Sequence, residues 1–156
     1  MARTISHRTD TWPIVVSTII GKEHSEETLR EAYGAWTGYM ERGPHVLIMD
    51  MTRGTAGATA AQRARVAAWI EQNEPLLRAR KQLAHVMVMD SPVMRGIVTA
   101  VFWLRPAANP HYTARTLNEA VDIALRCLRE AGLRIDPEAV ARARVNEFAS
   151  AQQTNL

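Results

Sequence analysis

The chain has 156 residues, of which 47% are hydrophobic and 22% are charged, and its formal net charge is +3. This size and composition are typical of one globular domain, because such a chain can bury about two-thirds of its unfolded surface. The single cysteine, Cys127, excludes an internal disulfide and a CxxC motif, and every apolar run is shorter than the about 20 residues that cross a bilayer.

The positive charge does not by itself indicate a nucleic-acid partner. Acidic and basic residues are interspersed, as on ordinary solvated helix faces. The densest basic stretch is 63–81, and it lacks the alternation of basic and aromatic residues along a strand that is typical of a surface binding single-stranded nucleic acid. The apolar run 12–20 follows two arginines, as in a signal peptide, but "GKEHSEE" stands where a small-residue cleavage site should be. We therefore expect a cytoplasmic protein with no membrane span, and nucleic acid is an unlikely partner.

Short runs rich in Val, Ile and Met predict the strands. "WPIVVSTII" (12–20), "HVLIMDM" (45–51) and "LAHVMVMD" (83–90) are the clearest, and near-continuous apolar runs of this length are typical of strands covered on both faces. "HYTART" (111–116) is a weaker candidate. "ARTISHR" (2–8) is expected to pair with 12–20 as an antiparallel hairpin.

Helices with clear end signals separate the strands. The first begins at the N-cap Ser25 and ends at Gly43, where glycine suits a left-handed cap. The second begins at Thr59, because "TAAQ" predicts a capping box in which the Thr59 and Gln62 side chains each accept a backbone N–H. Pro75 should kink or restart this helix. Its predicted inner stripe is Val66, Trp69 and Ile70.

Three more helices are predicted in the second half of the chain. The third begins at Ser91-Pro92, and "PVMRGIVTAVFWLRP" (92–106) is apolar almost all round, so it is either buried on most sides or forms an interface. The fourth begins with the capping box "TLNE" (116–119) and stops at Gly132. The last begins at Asp136-Pro137 and is expected to run to about Ala149. Its predicted inner side is Ala141, Val145 and Phe148.

This alternation predicts an α/β fold: a single-layer, mainly parallel sheet of four to five strands with helices packed on it. We expect one domain over residues 1–135, followed by a C-terminal helix and frayed tail over residues 136–156.

Catalytic motifs are absent from the strand ends, where ligands gather in open α/β sheets. The sequence has neither GxGxxG after the first strand nor GxxxxGK[ST], and it has no GxSxG elbow. It also lacks the acidic pair and the lysine of a response-regulator receiver. We therefore expect a protein that is not an enzyme and binds no cofactor.

Three histidines, His45, His85 and His111, stand near the starts of strands and raise the question of a metal site. Neighbouring strands lie roughly 5 Å apart, so the strand starts are spread along the edge of the sheet, and successive side chains of a strand face opposite ways. The three imidazoles are therefore not expected to meet at one ion, and we predict no metal site.

Asp50 and Asp90 each close an apolar strand. They are either a shared carboxylate site or, as we favour, acceptors of backbone N–H groups in the loops that follow. Arg53 and Arg95 are placed to neutralise one carboxylate each.

Methionines and aromatic residues supply the candidate apolar contacts. Met49 and Met87 belong to alternating positions of neighbouring strands, which predicts either gap-filling in the core or a plastic apolar pocket. Phe102 and Trp103 cannot both face one core, so one of them is a candidate dimer or partner contact. We expect the two tryptophans of the first two helices, Trp36 and Trp69, to be buried.

The order of elements resembles that of the SpoIIAA-like proteins of the STAS class of anti-sigma-factor antagonists, which are often grouped with CRAL-TRIO lipid-binding domains. The resemblance covers about residues 3–131 and rests on "IIG" before "SEETL", "HVLIMDM", "LAHVMVMDS", "RGIVTAVFWLRP" and "TLNEAVDIAL". It implies a regulatory phosphorylation site at the start of the helix after the third strand. Thr55 and Thr59 occupy that place, although the Asp-Ser-Ser-Gly motif of the antagonists is absent.

We expect the loop "DMTRGTAGATAAQ" to be first a turn and helix cap and second a regulatory docking loop. The main functional hypothesis is a non-catalytic regulatory domain that binds a protein partner through region 52–63. The alternative is a binder of a lipid or other small apolar ligand that uses the methionine face and helix 92–105. A homodimer through helix 92–105 or the last helix is also expected. The partner or regulatory residues are Arg53, Thr55, Thr59 and Arg63; the ligand or interface residues are Met49, Met87, Arg95, Phe102 and Trp103.

Overall fold

Five strands in sequential order form the sheet seen in the computed structural model, which describes residues 4–55, 59–79, 81–104 and 107–146. The first two strands are antiparallel and the others are parallel. The predicted hairpin and the mainly parallel sheet are therefore confirmed. The strands are β1 (Ile5–Arg8), β2 (Ile14–Gly21), β3 (His45–Gly54), β4 (Gln82–Val88) and β5 (His111–Ala114).

The helices begin where their capping signals predict. Ser25 accepts the Thr28 N–H, and the capping box of Thr59 and Gln62 is complete. A short helix restarts at Glu74 around Pro75, as expected. The helices are α1 (Glu26–Arg42), α2 (Ala60–Gln72), α3 (Glu74–Arg78), α4 (Pro92–Leu104), α5 (Leu117–Glu130) and α6 (Pro137–Ala143). None of the described helices is both long and apolar enough to span a bilayer.

Alternating residues of the strands divide the core between the two faces of the sheet. The even-numbered face, which includes Val46 and Val86, packs against α5 through residues such as Val121 and Leu128. The odd-numbered face, which includes Val15 and Leu47, packs against α1. β5 forms one edge of the described sheet.

α2 lies differently from the prediction. Its only buried residue is the capping residue Gln62, and Ile70, placed in the inner stripe by the sequence, is 46% exposed. Trp69 is half-buried and contacts the rings of Tyr33 and Trp36 on α1. Trp69, one of the three predicted inner residues, thus provides the aromatic contact of α2 with α1, whereas Ile70 does not face inward.

The last helix is also shorter and turned differently from the prediction. It ends at Ala143, and its buried residues are Ala139 and Ala143, whereas Ala141 and Val145 are exposed. Small alanines lie inward because α6 packs closely on the α5 side of the core. The predicted contact Phe148 and the predicted end at residue 149 lie outside the described residues.

The predicted capping box at α5 is half formed. Thr116 accepts the Glu119 N–H, but the Glu119 carboxylate accepts the Arg115 N–H instead of the Thr116 N–H.

Candidate functional site

The most apolar stripe of α4 faces solvent. Val93, Ile97, Ala100 and Leu104 recur at helical spacing on one face, and all four are exposed. The exposed fractions of the large apolar side chains lie between 48% and 87%, for Val93, Met94, Ile97, Trp103 and Leu104. We call this set the outer face of α4. Large exposed apolar patches are common at protein interaction sites, so this face is the first candidate for one.

The inward side of α4 carries a charged residue. Arg95 Nη1 donates to the carbonyl oxygens of Met89 at 2.7 Å and Asp90 at 3.1 Å, just beyond the carboxyl end of β4. The predicted pairing of Arg95 with the Asp90 carboxylate is therefore replaced by backbone contacts. Arg95 therefore occupies the inward side of α4, and the aliphatic residues lie on the outward side.

Phe102 docks the other end of α4 on β5. Its ring lies 4.1 Å from the ring of His111, centroid to centroid, at an angle of 30°. Phe102 is half-buried and Trp103 is exposed, so the two rings do not face one core, but the prediction that at least one of them is buried is wrong. Of the other predicted buried rings, Trp36 is buried, but Trp69 is only half-buried.

Beneath Phe102, two histidines from neighbouring strands form a hydrogen-bonded pair. His111 Nδ1 lies 2.9 Å from the Asn109 carbonyl oxygen, which can only accept, so Nδ1 carries a hydrogen. In neutral His111, Nε2 is then an acceptor, and His85 Nδ1 donates to it at 3.2 Å. This leaves His85 Nε2 as a bare acceptor that is buried and has no hydrogen-bond partner.

Both histidines are neutral near pH 7 because burial disfavours their charged forms. Burial lowers the pKa of His85 to about 3, with a further lowering by neighbouring His111. Burial also lowers the pKa of His111, against an opposing effect of its bond to Asn109. Asn109, which accepts from His111, also donates a buried hydrogen bond from its side-chain amide to Gln82 Oε1. The described residues contain no cluster of three or more His, Cys, Asp or Glu side chains suited to a metal ion.

This pair was not predicted from the sequence. The sequence places both histidines near strand starts, whereas the structure places His85 in the middle of β4, opposite His111. The pairing depends on the register of β4 against β5, which is set by tertiary contacts and is not visible in the sequence.

A cleft of about 490 Å³ lies beside the contact of α4 with β5. Its lining includes Thr99, Phe102, Trp103, His111 and Tyr112. It therefore offers aromatic walls with a few polar groups, which is the usual composition of a small-molecule pocket.

The predicted methionine pair is formed on the odd-numbered face. Met49 and Met87 are opposite each other in the β3–β4 register. Met87 is buried and Met49 is half-buried. They do not line the cleft beside β5, so the structure separates them from Phe102 and Trp103.

Region 52–63 begins at the carboxyl end of β3. The Asp50 carboxylate accepts the Thr52 backbone N–H at 3.0 Å and the Thr52 hydroxyl at 2.7 Å, which confirms the favoured interpretation of this aspartate. Arg53 lies opposite Ile20 in the β2–β3 register. Arg63 is exposed on α2, and its N–H donates to the Thr59 carbonyl. Residues 56–58 lie outside the described part of the chain.

Thr55 has a structural duty that the sequence did not indicate. Its N–H donates to the Gly21 carbonyl at 3.0 Å, and its own carbonyl accepts from His24 Nε2 at 3.0 Å. The backbone at Thr55 thus closes the ends of β2 and β3. The neighbouring Gly54 backbone lies so close to Gly21 that a Cβ at residue 54 would overlap it.

One solved structure matches this architecture. It belongs to an uncharacterized protein of the DUF3478 family, with a SpoIIAA-like fold, from Shewanella loihica PV-4. The TM-score is 0.52 at 12% sequence identity, and the match covers 77% of this chain and 91% of that one. The chain has a SpoIIAA-like fold. No protein-family model and no curated protein matches the sequence, so the likeness extends to the SpoIIAA-like architecture and stops there.

Proposed function

We propose that the chain is a non-catalytic, regulatory binding domain that recognises a protein partner through the outer face of α4. The observation that carries this proposal is the run of exposed apolar side chains from Val93 to Leu104. Arg95 is the only charged residue between Pro92 and Leu104, and it binds carbonyls on the inward side. An uncharged apolar surface gains most of its binding free energy from being covered.

The proposed surface continues toward region 52–63. β3 and β4 are parallel neighbours, so the loop after β3 and the first turn of α4 belong to the same edge of the sheet. Region 52–63, with Arg53, Thr55, Thr59 and Arg63, remains a prediction as the polar border of the partner site. A polar border around an apolar centre is typical of protein interfaces.

The partner we favour is a second copy of this chain. A two-fold interface pairs the same patch on both subunits, and an uncharged helix face meets its own copy without charge repulsion. Gly96 and Ala100, four residues apart, leave room for two α4 helices to approach closely, since no other atoms occupy the space beside Gly96. Small residues flanked by Ile97 and Leu104 suit such a crossing.

Sedimentation equilibrium of the wild type and Ile97→Asp tests the dimer. Ile70→Asp on α2 is a matched control, because Ile70 and Ile97 have similar exposed fractions of 46% and 51%. We expect a dimeric wild type and control and a monomeric Ile97→Asp. A monomeric wild type would show that the copy is not the partner.

Capture of partners from the native host then tests the wider proposal. Ile97→Asp and the double variant Arg53→Glu, Thr55→Tyr are used as separate baits beside the wild type. Loss of a specific partner with Ile97→Asp alone supports α4, and loss with the double variant extends the site to region 52–63. If all specific partners survive both changes, neither surface is the partner site.

A second candidate function is the binding of a lipid or other small apolar ligand, and the cleft of about 490 Å³ between α4 and β5 favours it. Native mass spectrometry of the purified protein tests this candidate. A bound mass that disappears in Phe102→Ala, but persists in Ile97→Asp, would assign the ligand to the cleft.

A further inference from the structure

A second and larger cavity, of about 670 Å³, lies between α1 and α2. The residues that shape it include Glu26, Arg30 and Tyr33 of α1 and Arg65 and Trp69 of α2. None of these residues lines the cleft beside α4. The volume lies within the range of about 300–1,000 Å³ that is typical of small-molecule sites.

Tyr33 supplies an unused hydrogen-bonding group to this region. Its hydroxyl oxygen is buried and has no hydrogen-bond partner. Burial raises the pKa of Tyr33, so the hydroxyl stays protonated and is available as a donor. Buried polar groups without a partner are uncommon in native proteins, so this hydroxyl requires an explanation.

Trp69 forms the aromatic wall of the cavity and contacts side chains of α1. The Trp69 ring lies nearly parallel to the Tyr33 ring, at 21° with centroids 6.1 Å apart, and edge-on to Trp36. Trp69 Nε1 donates to Thr37 Oγ1 at 3.1 Å. Trp69 nevertheless remains only half-buried, so part of it is open for contact with a ligand.

α2 buries little of its surface. Only Gln62 of α2 is buried, and besides Trp69 the helix is joined to α1 by the exposed ion pair of Arg65 with Glu26. The Tyr33 hydroxyl has no accessible surface in this structure, so an acceptor atom reaches it only after the stacked Trp69 ring moves aside with α2. Arg30 and Glu27 also line the cavity, beside the ion pair of Arg65 with Glu26.

We propose that this cavity binds a small planar aromatic molecule that carries a hydrogen-bond acceptor, either a carbonyl or a carboxylate oxygen. The ring packs against Trp69, and the acceptor takes the hydrogen of the Tyr33 hydroxyl. Arg30 adds attraction when the acceptor is a carboxylate. This site is separate from the partner surface proposed for α4.

Three probes that share one ring test the assignment: indole-3-carboxylate, indole-3-carboxamide and indole. Binding is followed by NMR through the indole N–H signal of Trp69, assigned with Trp69→Phe. We expect saturable shifts of this signal with both acceptor-bearing probes and weaker binding of indole. Tighter binding of the carboxylate than of the carboxamide supports a contact with Arg30, and equal binding supports a neutral acceptor contact with Tyr33.

Tyr33→Phe separates a ligand contact from a structural role, because it removes only the oxygen. We expect it to weaken both acceptor-bearing probes about tenfold, which equals about 1.4 kcal/mol, and to leave indole binding unchanged. Ile97→Asp is the matched control outside the cavity and should bind all probes as the wild type does. Equal affinity of indole and the carboxamide for the wild type, no effect of Tyr33→Phe, or no saturable shift at Trp69 would each overturn the proposal.

Discussion

Replacing His85 by asparagine should make the folding stability less sensitive to acid. The asparagine amide can still donate toward His111 Nε2, as His85 Nδ1 does at 3.2 Å, but it cannot take up a proton in this pH range. The substitution therefore removes one titrating group and retains the polar contact between β4 and β5.

The size and sign of the effect follow from the pKa of His85, which burial and the neighbouring His111 lower to about 3. In the unfolded chain a histidine has a pKa of about 6.5, so above this pH His85 is neutral in both states and has no effect on stability. Between about pH 6.5 and pH 3 the unfolded state binds a proton that the folded state excludes, so stability falls as pH falls. Between pH 7 and pH 5 the loss is about 2 kcal/mol.

Urea unfolding of the wild type and His85→Asn near pH 8, pH 7 and pH 5, followed by circular dichroism, measures this loss. Burial lowers the pKa of His111 as well, so both proteins retain that contribution, and their difference isolates His85. We expect the loss between about pH 7 and pH 5 to be roughly 2 kcal/mol smaller in the variant. The values near pH 8 and pH 7 should differ little within each protein. Equal pH dependence in the two proteins would refute the buried, neutral pair.

Other substitutions test the cap, the close strand contact and the core. Thr59→Ala should destabilise the fold by about 1 kcal/mol in urea unfolding through loss of the observed capping box, without abolishing partner binding; lost binding at unchanged stability would make Thr59 a functional residue instead. Gly54→Ala should cost at least about 1–3 kcal/mol, because the added Cβ overlaps the Gly21 backbone, and an unchanged melting curve would contradict that contact. Trp36→Ala should cost about 3–5 kcal/mol, since Trp36 is buried and donates to Ser17 Oγ, and a much smaller loss would contradict its core position.

Much of the architecture was predictable because its signals are local. Ser25 and Thr59 satisfy the first N–H groups of their own helices, and Pro75 lacks the N–H that would continue α2, so these boundaries need no distant contact. The apolar runs of β2, β3 and β4 are long enough to identify buried parallel strands. The order of these elements was sufficient to predict the SpoIIAA-like fold that the structural comparison shows.

The candidate sites were less predictable, because they depend on how elements meet. The two faces of α4 are almost equally apolar in sequence, so spacing cannot tell that Phe102 packs on His111 while Ile97 and Leu104 face solvent. The inward position of Arg95 depends on carbonyls at the end of β4, which exist as a target only after the sheet has formed.

The sequence by itself determined where the helices begin, since caps and prolines act within a few residues of themselves. Only the tertiary structure decided the register that sets His85 beside His111, 26 residues away, and the docking of Trp69 on α1, 32 residues from Thr37. Register and docking depend on contacts between distant segments, and a shift of one residue turns a strand side chain to the opposite face of the sheet. The neutral histidine pair and the cavity beside Tyr33 are consequences of that tertiary packing.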